Sequence, residues 1–219
     1  MQMARRRTDR GPLTRTEIID AALTLAESDG IDKLSLAKVA AAVGVQTMSL
    51  YNHIANKADL LDGMAERLLN SVEIPTATDS WHDDMTALGH AFRVAAIRYP
   101  QTAPLVLTRH LNIPAIIPLV EAALEAARRA GIPEAERVRV LRMFIAYLIG
   151  ALIREIGLGG SVASTENASL FDDDRYPNVA MLAGDLATCD HLEEFDRGLR
   201  LQISAIAAAY ADDGAHLAR

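Results

Sequence analysis

Between Gly44 and Lys57 the chain sets out a row of hydrogen-bonding groups: Gln46, Thr47, Ser49, Tyr51, Asn52, His53 and finally Lys57. They are amides, hydroxyls, an imidazole and an ammonium, the groups that pair with base edges and phosphate oxygens. The residues between them show how they would be presented. Leu36, Val39, Ala40 and Val43 recur at the i, i+3, i+4, i+7 spacing of a helix with one apolar face. Gly44 follows, where a tight reversal favours a residue without a side chain. Leu50 and Ile54 stand four apart, so a second short helix over about Gln46 to His53 buries them and leaves the polar set outside. Two helices pinned at a glycine form a helix-turn-helix, whose second helix is of the size that enters a major groove.

The neighbouring elements follow from capping and periodicity. Thr14-Arg15-Thr16-Glu17 is a capping box that opens a helix to about Ser28, with Ile18, Ala22, Leu25 and Ala26 on one face. Gly30 stops that helix and Ser35 caps the next. Asn56-Lys57-Ala58-Asp59 opens another, running through Leu60, Leu61, Met64 and Leu68 to about Val72. Pro75 and the Thr, Ser and Asp residues up to Ser80 mark a joint. The spacing then predicts helices over about 81–98, 102–109, 113–130, 134–156, 178–187 and 191–211, with a loop from Gly157 to Pro177. No strand pattern stands out, so the fold class is all-α. The functional boundary falls near Lys57, giving a DNA-binding segment 1–57 with a basic arm and a larger segment 58–219.

Charge supports that division. The net charge of -7 argues against nucleic acid if taken whole, but residues 1–57 hold 8 Lys and Arg against 6 Asp and Glu, while residues 58–219 hold 14 against 23. Basic groups gather beside the groove-reading helix, and the acidic remainder disfavours adhesion to DNA elsewhere. Arg5, Arg6 and Arg7 form an arm suited to an adjacent minor groove or simply to solvent. No apolar stretch follows them as in a signal peptide, and the longest apolar run, Met143 to Ile153, is too short to span a bilayer. A cytoplasmic protein is expected. The single cysteine, Cys189, excludes an internal disulfide and reads as a small packed residue.

The run Gly44-Val45-(four residues)-Leu50-Tyr51-Asn52-His53-Ile54-Ala55-Asn56-Lys57, followed by Asp59-Leu60-Leu61, resembles the signature of the tetracycline-repressor (TetR) family. The resemblance is strong over about residues 14–70. Beyond residue 80 it is to the branch with a tetracycline-repressor-like carboxy-terminal domain: Trp81 after the linker, Tyr99-Pro100 ending a long helix, and Gly150 within a long penultimate helix. The resemblance implies an all-α homodimer with an amino-terminal three-helix DNA-binding domain and a helical domain for ligand binding and dimerisation. It further implies a repressor released by an inducer from an operator with two-fold symmetry. Tetracycline repressors hold a magnesium–drug chelate partly through a His. An ungapped count places that position at Val106, so no metal or cofactor is carried over and a largely apolar effector is expected.

Gln46, Thr47 and Ser49, with apolar help from Met48, are the expected base contacts. Tyr51, Asn52, His53 and Lys57 are expected at phosphates, with Ser35 and Lys38 across the groove. Candidate effector contacts are Met64, His90, Phe92, Arg93, His110, Asn112, Met143, Phe144 and Tyr147, each of which equally suits plain core packing. Helices 134–156 and 191–211 are the expected dimer interface. The stripe Leu192, Phe195, Leu199, Ile203, Ile206, Tyr210 either meets a second copy or fills the subunit's own core, and Ala146 and Gly150 permit close approach. Two rivals stand beside this reading. A helical metal enzyme would need Glu-x-x-His pairs, which are absent, and an architectural DNA-binding protein would lack a large acidic second segment.

Overall fold

The computed structural model describes residues 12–108, 113–157 and 175–211. Among them, regular structure is helical: α1 (Arg15–Asp29), α2 (Leu36–Val43), α3 (Thr47–Leu50), α4 (Lys57–Leu69), α5 (Trp81–Arg98), α6 (Ala103–Thr108), α7 (Ile117–Arg129), α8 (Glu134–Glu155), α9 (Pro177–Met181), α10 (Ala183–Leu186) and α11 (His191–Ala211). Two 3-10 turns, Ile31–Lys33 and Pro114–Ile116, precede α2 and α7. No helix among the described residues is long and apolar enough to cross a membrane.

Contacts divide the chain into two compact units. Of the described residues, one takes those up to Glu73 together with those between Val94 and Pro118, and the other takes Ile74–Arg93 and those from Leu119 on. The first unit therefore holds more than the segment ending at Lys57. Its α1 starts with the expected capping box: Thr14 Oγ1 accepts the Glu17 N–H at 3.2 Å, and the Glu17 carboxylate accepts the Thr14 N–H at 2.9 Å. Two helix-start N–H groups are thereby satisfied. The core is aliphatic: Ile18, Ala22, Ala26, Val39, Leu50, Ile54, Leu60, Met64 and Leu68 are all fully buried. Each large member contributes about 1.5–3 kcal/mol of burial. Around them α1 packs on α2 and α4, α2 on α3, and α4 on α6 and the Pro114–Ile116 turn.

A carboxylate ties α1 to α6 within this unit. Glu27 Oε1 accepts the Thr102 N–H at 3.0 Å and its hydroxyl at 2.8 Å, and Oε2 accepts the Gln101 N–H at 3.0 Å. Thr102 is fully buried, so Glu27 satisfies a hydroxyl that has no access to water. Gln101 and Thr102 lie just before α6, where negative charge is favourable.

The second unit is built on α8 and α11. Phe144 and Leu148 of α8 meet Phe195, Leu199 and Ile203 of α11, with Met85 and Leu88 of α5 and Ala123 and Ala126 of α7. Ala127, Ile132, Val140 and Ile206 continue this core. Close approach occurs at Gly198, where a Cβ would stand 2.7 Å from Cε2 of the Tyr147 ring.

Three expectations change. Of the stripe, Phe195, Leu199, Ile203 and Ile206 are 0–3% exposed and lie in the subunit's own core, which leaves Leu192 exposed and Tyr210 half-buried. The helix expected over 178–187 is broken at Leu182 into α9 and α10, neither of which buries a residue below the surface that could hold a longer helix straight. The recognition helix is shorter than Gln46–His53. Its α-helical part is Thr47–Leu50, and residues 51–53 continue as turns closed by the His53 N–H to Leu50 carbonyl bond of 2.8 Å.

Candidate nucleic-acid interface

The reversal between α2 and α3 is made by Gly44 in the left-handed conformation, φ 73° and ψ 35°. Its N–H donates to the Ala41 carbonyl at 3.1 Å and the Val45 N–H to the Ala40 carbonyl at 2.9 Å. This paired pattern ends a helix with its last carbonyls satisfied, and the conformation is one a side chain disfavours. At its start α2 is capped by Ser35, whose Oγ accepts the Lys38 N–H at 3.3 Å. The interior of the motif is fixed by Val39, Leu50 and Ile54, each 0% exposed.

With those three inside, the outer face is set. Met48 is 74% and Tyr51 47% exposed, and Gln46, Asn52 and Lys57 are exposed, while Thr47, Ser49 and His53 are half-buried. Gln46 occupies the cap position of α3 without making a side-chain cap bond, which leaves its amide available. Ser35 and Lys38 are exposed on α2, and Lys38 Nζ stands 3.4 Å from Asp29 in a pair open to solvent on both sides. Of the ten expected DNA contacts, Ser35 and Lys38 lie at the cap and first turn of α2, the residues from Gln46 to His53 at the cap of α3, along it and in the turn after it, and Lys57 at the start of α4. Arg5, Arg6 and Arg7 lie outside the described residues.

One set of interactions behind this face escaped sequence reasoning. Arg15, at the first turn of α1, donates to the His53 carbonyl at 3.0 Å and to both oxygens of Asp59 at 3.2 and 2.7 Å. The partners lie 38 and 44 residues away, beyond the reach of any local pattern. At the start of α4 the Asn56 amide oxygen accepts the Asp59 N–H at 3.0 Å.

Met64 is fully buried in the first unit. In the second, Phe195 is the centre of an aromatic and polar group: His90 lies edge-on at 5.5 Å, the Arg93 guanidinium at 5.6 Å, and Tyr147 at 5.9 Å between centroids. Phe92 packs against the same core. Each polar member is spoken for: His90 Nε2 is 3.1 Å from Asp196, Arg93 Nε donates to Glu155 at 2.9 Å, and the Tyr147 hydroxyl donates to the Phe195 carbonyl at 2.7 Å. Burial pushes the Tyr147 phenol up. Phe144 is spent in the core at 2% exposure, and Met143 faces outward at 53%. His110 and Asn112 lie outside the described residues. A groove of about 350 Å³ between α8 and α11 is lined by Ala146, Tyr147, Gly150, Arg154, His191 and Glu194. Beside it the Cys189 thiol, 3.3 Å from His191, is pushed up by burial and by Glu194, as suits a packed rather than a reactive thiol.

A helix-turn-helix with an outward polar face, followed by a larger helical unit, defines a DNA-binding regulator. Residues 18–64 match the family described as bacterial regulatory proteins, tetR family, and residues 74–210 match the tetracyclin repressor-like C-terminal domain. The chain belongs to the TetR family of bacterial transcriptional regulators, which are not enzymes.

Among its relatives, an HTH-type transcriptional regulator of Saccharopolyspora erythraea is 29% identical over 90% of this chain and 85% of that one. The HTH-type transcriptional repressor DrrR1 of Streptomyces coeruleorubidus is 30% identical over 67% of this chain, but the match spans only 56% of DrrR1. The class A tetracycline repressor of Escherichia coli is 30% identical over 63% of this chain and 65% of the repressor. Of solved structures, apo ActR from Streptomyces coelicolor shares the fold at a TM-score of 0.81 and 21% identity, over 93% of this chain and 99% of ActR.

Proposed function

We propose that this chain is a repressor that binds a palindromic operator as a homodimer and is released by a small, largely apolar effector. The observation that carries the reading is the outward row Gln46, Met48, Tyr51, Asn52 and Lys57 on a helix held from behind by fully buried Leu50 and Ile54. Gln46, Thr47 and Ser49 read base edges, the Thr47 methyl against a thymine methyl, and Met48 adds apolar contact. Tyr51, Asn52, His53 and Lys57 take phosphates, and Asn56 leaves the first N–H groups of α4 to the same anion. Ser35 and Lys38 take the phosphate across the groove. DrrR1 and the tetracycline repressors are named as repressors, and ActR has been solved in complex with actinorhodin, which supports a ligand-released repressor here.

Dimerisation belongs to the outer faces of α8 and α11. With Phe195, Leu199 and Ile203 turned inward, α8 leaves Val138, Met143, Ala146 and Gly150 exposed and α11 leaves Leu201 at 63%. A Cβ at Gly150 would meet nothing within 4 Å, which is room for a neighbouring helix. The effector segment is 58–219, and His90, Phe92, Arg93 and Tyr147 around Phe195 are its best-placed contacts. Release works by spacing: two recognition helices must sit one turn of duplex apart, about 34–36 Å, and a ligand that favours another separation weakens DNA binding. DNA then weakens ligand binding by the same factor. Helix α4, packed on α6, is the lever.

Selection of bound sequences from random DNA tests the core of this. A two-fold symmetric consensus is expected, and no enrichment at low salt from a monomeric protein ends the reading. Gln46→Ala should relax preference at one position of each half-site by about 1–3 kcal/mol. An unchanged preference removes Gln46 from the base contacts.

A further inference from the structure

The head's positive charges are not equivalent. Lys57 is exposed at the start of α4, and Lys38 sits in a loose pair 3.4 Å from Asp29. Both can turn to a phosphate. Arg15 is different, because its donors are already directed inward. Nη1 donates to the His53 carbonyl at 3.0 Å and to Asp59 Oδ2 at 3.2 Å, and Nη2 donates to Asp59 Oδ1 at 2.7 Å. Asp59 Oδ2 in turn accepts the Ala55 N–H at 2.7 Å. One guanidinium and one carboxylate thus hold the backbone at residues 53 and 55 and the first turn of α4. These are the residues that join the end of the recognition helix to Lys57.

At Gly63 α4 comes close to α1 beside the bridge. A Cβ there would overlap the end of the Ile19 side chain and stand 3.3 Å from Arg15 Nη2. The guanidinium fork can reach a carbonyl and both carboxylate oxygens at once, which a single ammonium cannot. The hydrogen bond from Arg15 holds the Asp59 carboxyl below its ordinary range, so the pair is charged on both sides and the positive charge is met internally.

We propose that Arg15 is a positioning residue for DNA binding: without touching nucleic acid, its bridge from α1 to the His53 carbonyl and Asp59 fixes where Tyr51, Asn52, His53 and Lys57 meet the phosphates. The inference rests on the DNA-binding reading given above. Arg15 is one of the eight Lys and Arg of residues 1–57, and the geometry meets its charge within the unit.

The test uses the full-length protein and the duplex that the wild-type chain selects from random DNA. Affinities are referred to the folded, active fraction of each preparation and followed across salt concentration. Arg15→Lys keeps the charge and should still lose about fivefold or more in affinity, and Arg15→Ala and Asp59→Asn about tenfold. The slope of log affinity against log salt should match wild type in all three, and the Arg15→Ala, Asp59→Asn double variant should bind no more weakly than Arg15→Ala alone. If Arg15→Ala does not fold, Arg15→Lys and Asp59→Asn decide the matter.

A phosphate contact at Arg15 would give the opposite result, with Arg15→Lys near wild type and the Arg15→Ala slope reduced by about one. That outcome overturns the proposal. So do wild-type affinities per folded molecule, which would make the bridge purely structural, and additive losses in the double variant. A wild-type chain that selects no duplex overturns the DNA-binding reading beneath it instead.

Discussion

The two compact units use their polar side chains in opposite directions. Around α3 the groups that matter point outward: Gln46 makes no cap bond, and Asn52 and Lys57 are exposed. In the second unit they turn toward one another. Arg93 and Glu155 form a bidentate pair with only 14% of each side chain exposed, Arg129 pairs with Asp84, and His90 with Asp196. The first pattern maintains a solvated polar surface whose groups remain open to the outside. The second is largely paired within itself, although Arg129 Nε and Asp196 Oδ1 are buried without a hydrogen bond, and so points less plainly to a ligand.

The contrast can be attacked where it is sharpest. Arg93→Ala strands a carboxylate in a site 14% exposed and should cost about 3–5 kcal/mol of stability in chemical denaturation, whereas Arg93→Met with Glu155→Leu should recover most of it. A double variant that is stable but no longer responds to any effector would give this pair a binding role. In the other unit Leu50→Ala should cost about 2–5 kcal/mol, since the side chain is fully buried behind the outer face. Lys57→Ala, on the exposed side, should leave stability within about 0.5 kcal/mol of wild type and lower the salt slope of DNA binding by about one.

The smallest effect is on acid stability. The Asp59 carboxyl is held low in the folded state, chiefly by Arg15 and further by the Ala55 N–H, against the opposing effect of burial. Its contribution is therefore present above the ordinary carboxylate range and is lost as pH falls through the lowered value. Asp59→Asn should flatten a minor part of the fall in melting temperature below about pH 5.

What the residues disclosed beforehand was local. The Thr14–Glu17 box, the Ser35 and Asn56 caps and the turn at Gly44 each join groups within five residues, so their types and spacing specify them. The recognition face was legible for the same reason, because Leu50 and Ile54 settle which side is buried. The Arg15 and Glu27 bridges join residues 44 and 75 positions apart, and nothing in either neighbourhood encodes the partner. The α11 stripe was legible as apolar but not as inward-facing, since periodicity gives a face without saying what covers it. In the stretch 178–187 helical periodicity was present, but the chain breaks at Leu182 into α9 and α10, neither of which contains a buried residue.

The Glu27 bridge has a bearing on how such proteins are recombined. A chimera that transplants only residues 1–57 onto a relative's body would separate Glu27 from the Gln101 and Thr102 groups it serves. The Thr102 hydroxyl, shut away from water, would then be left without its acceptor unless the recipient supplied a carboxylate at the matching place. Joining points drawn at Glu73, Val94 and Pro118 keep that contact intact, so the interchangeable module of this regulator is discontinuous along the chain.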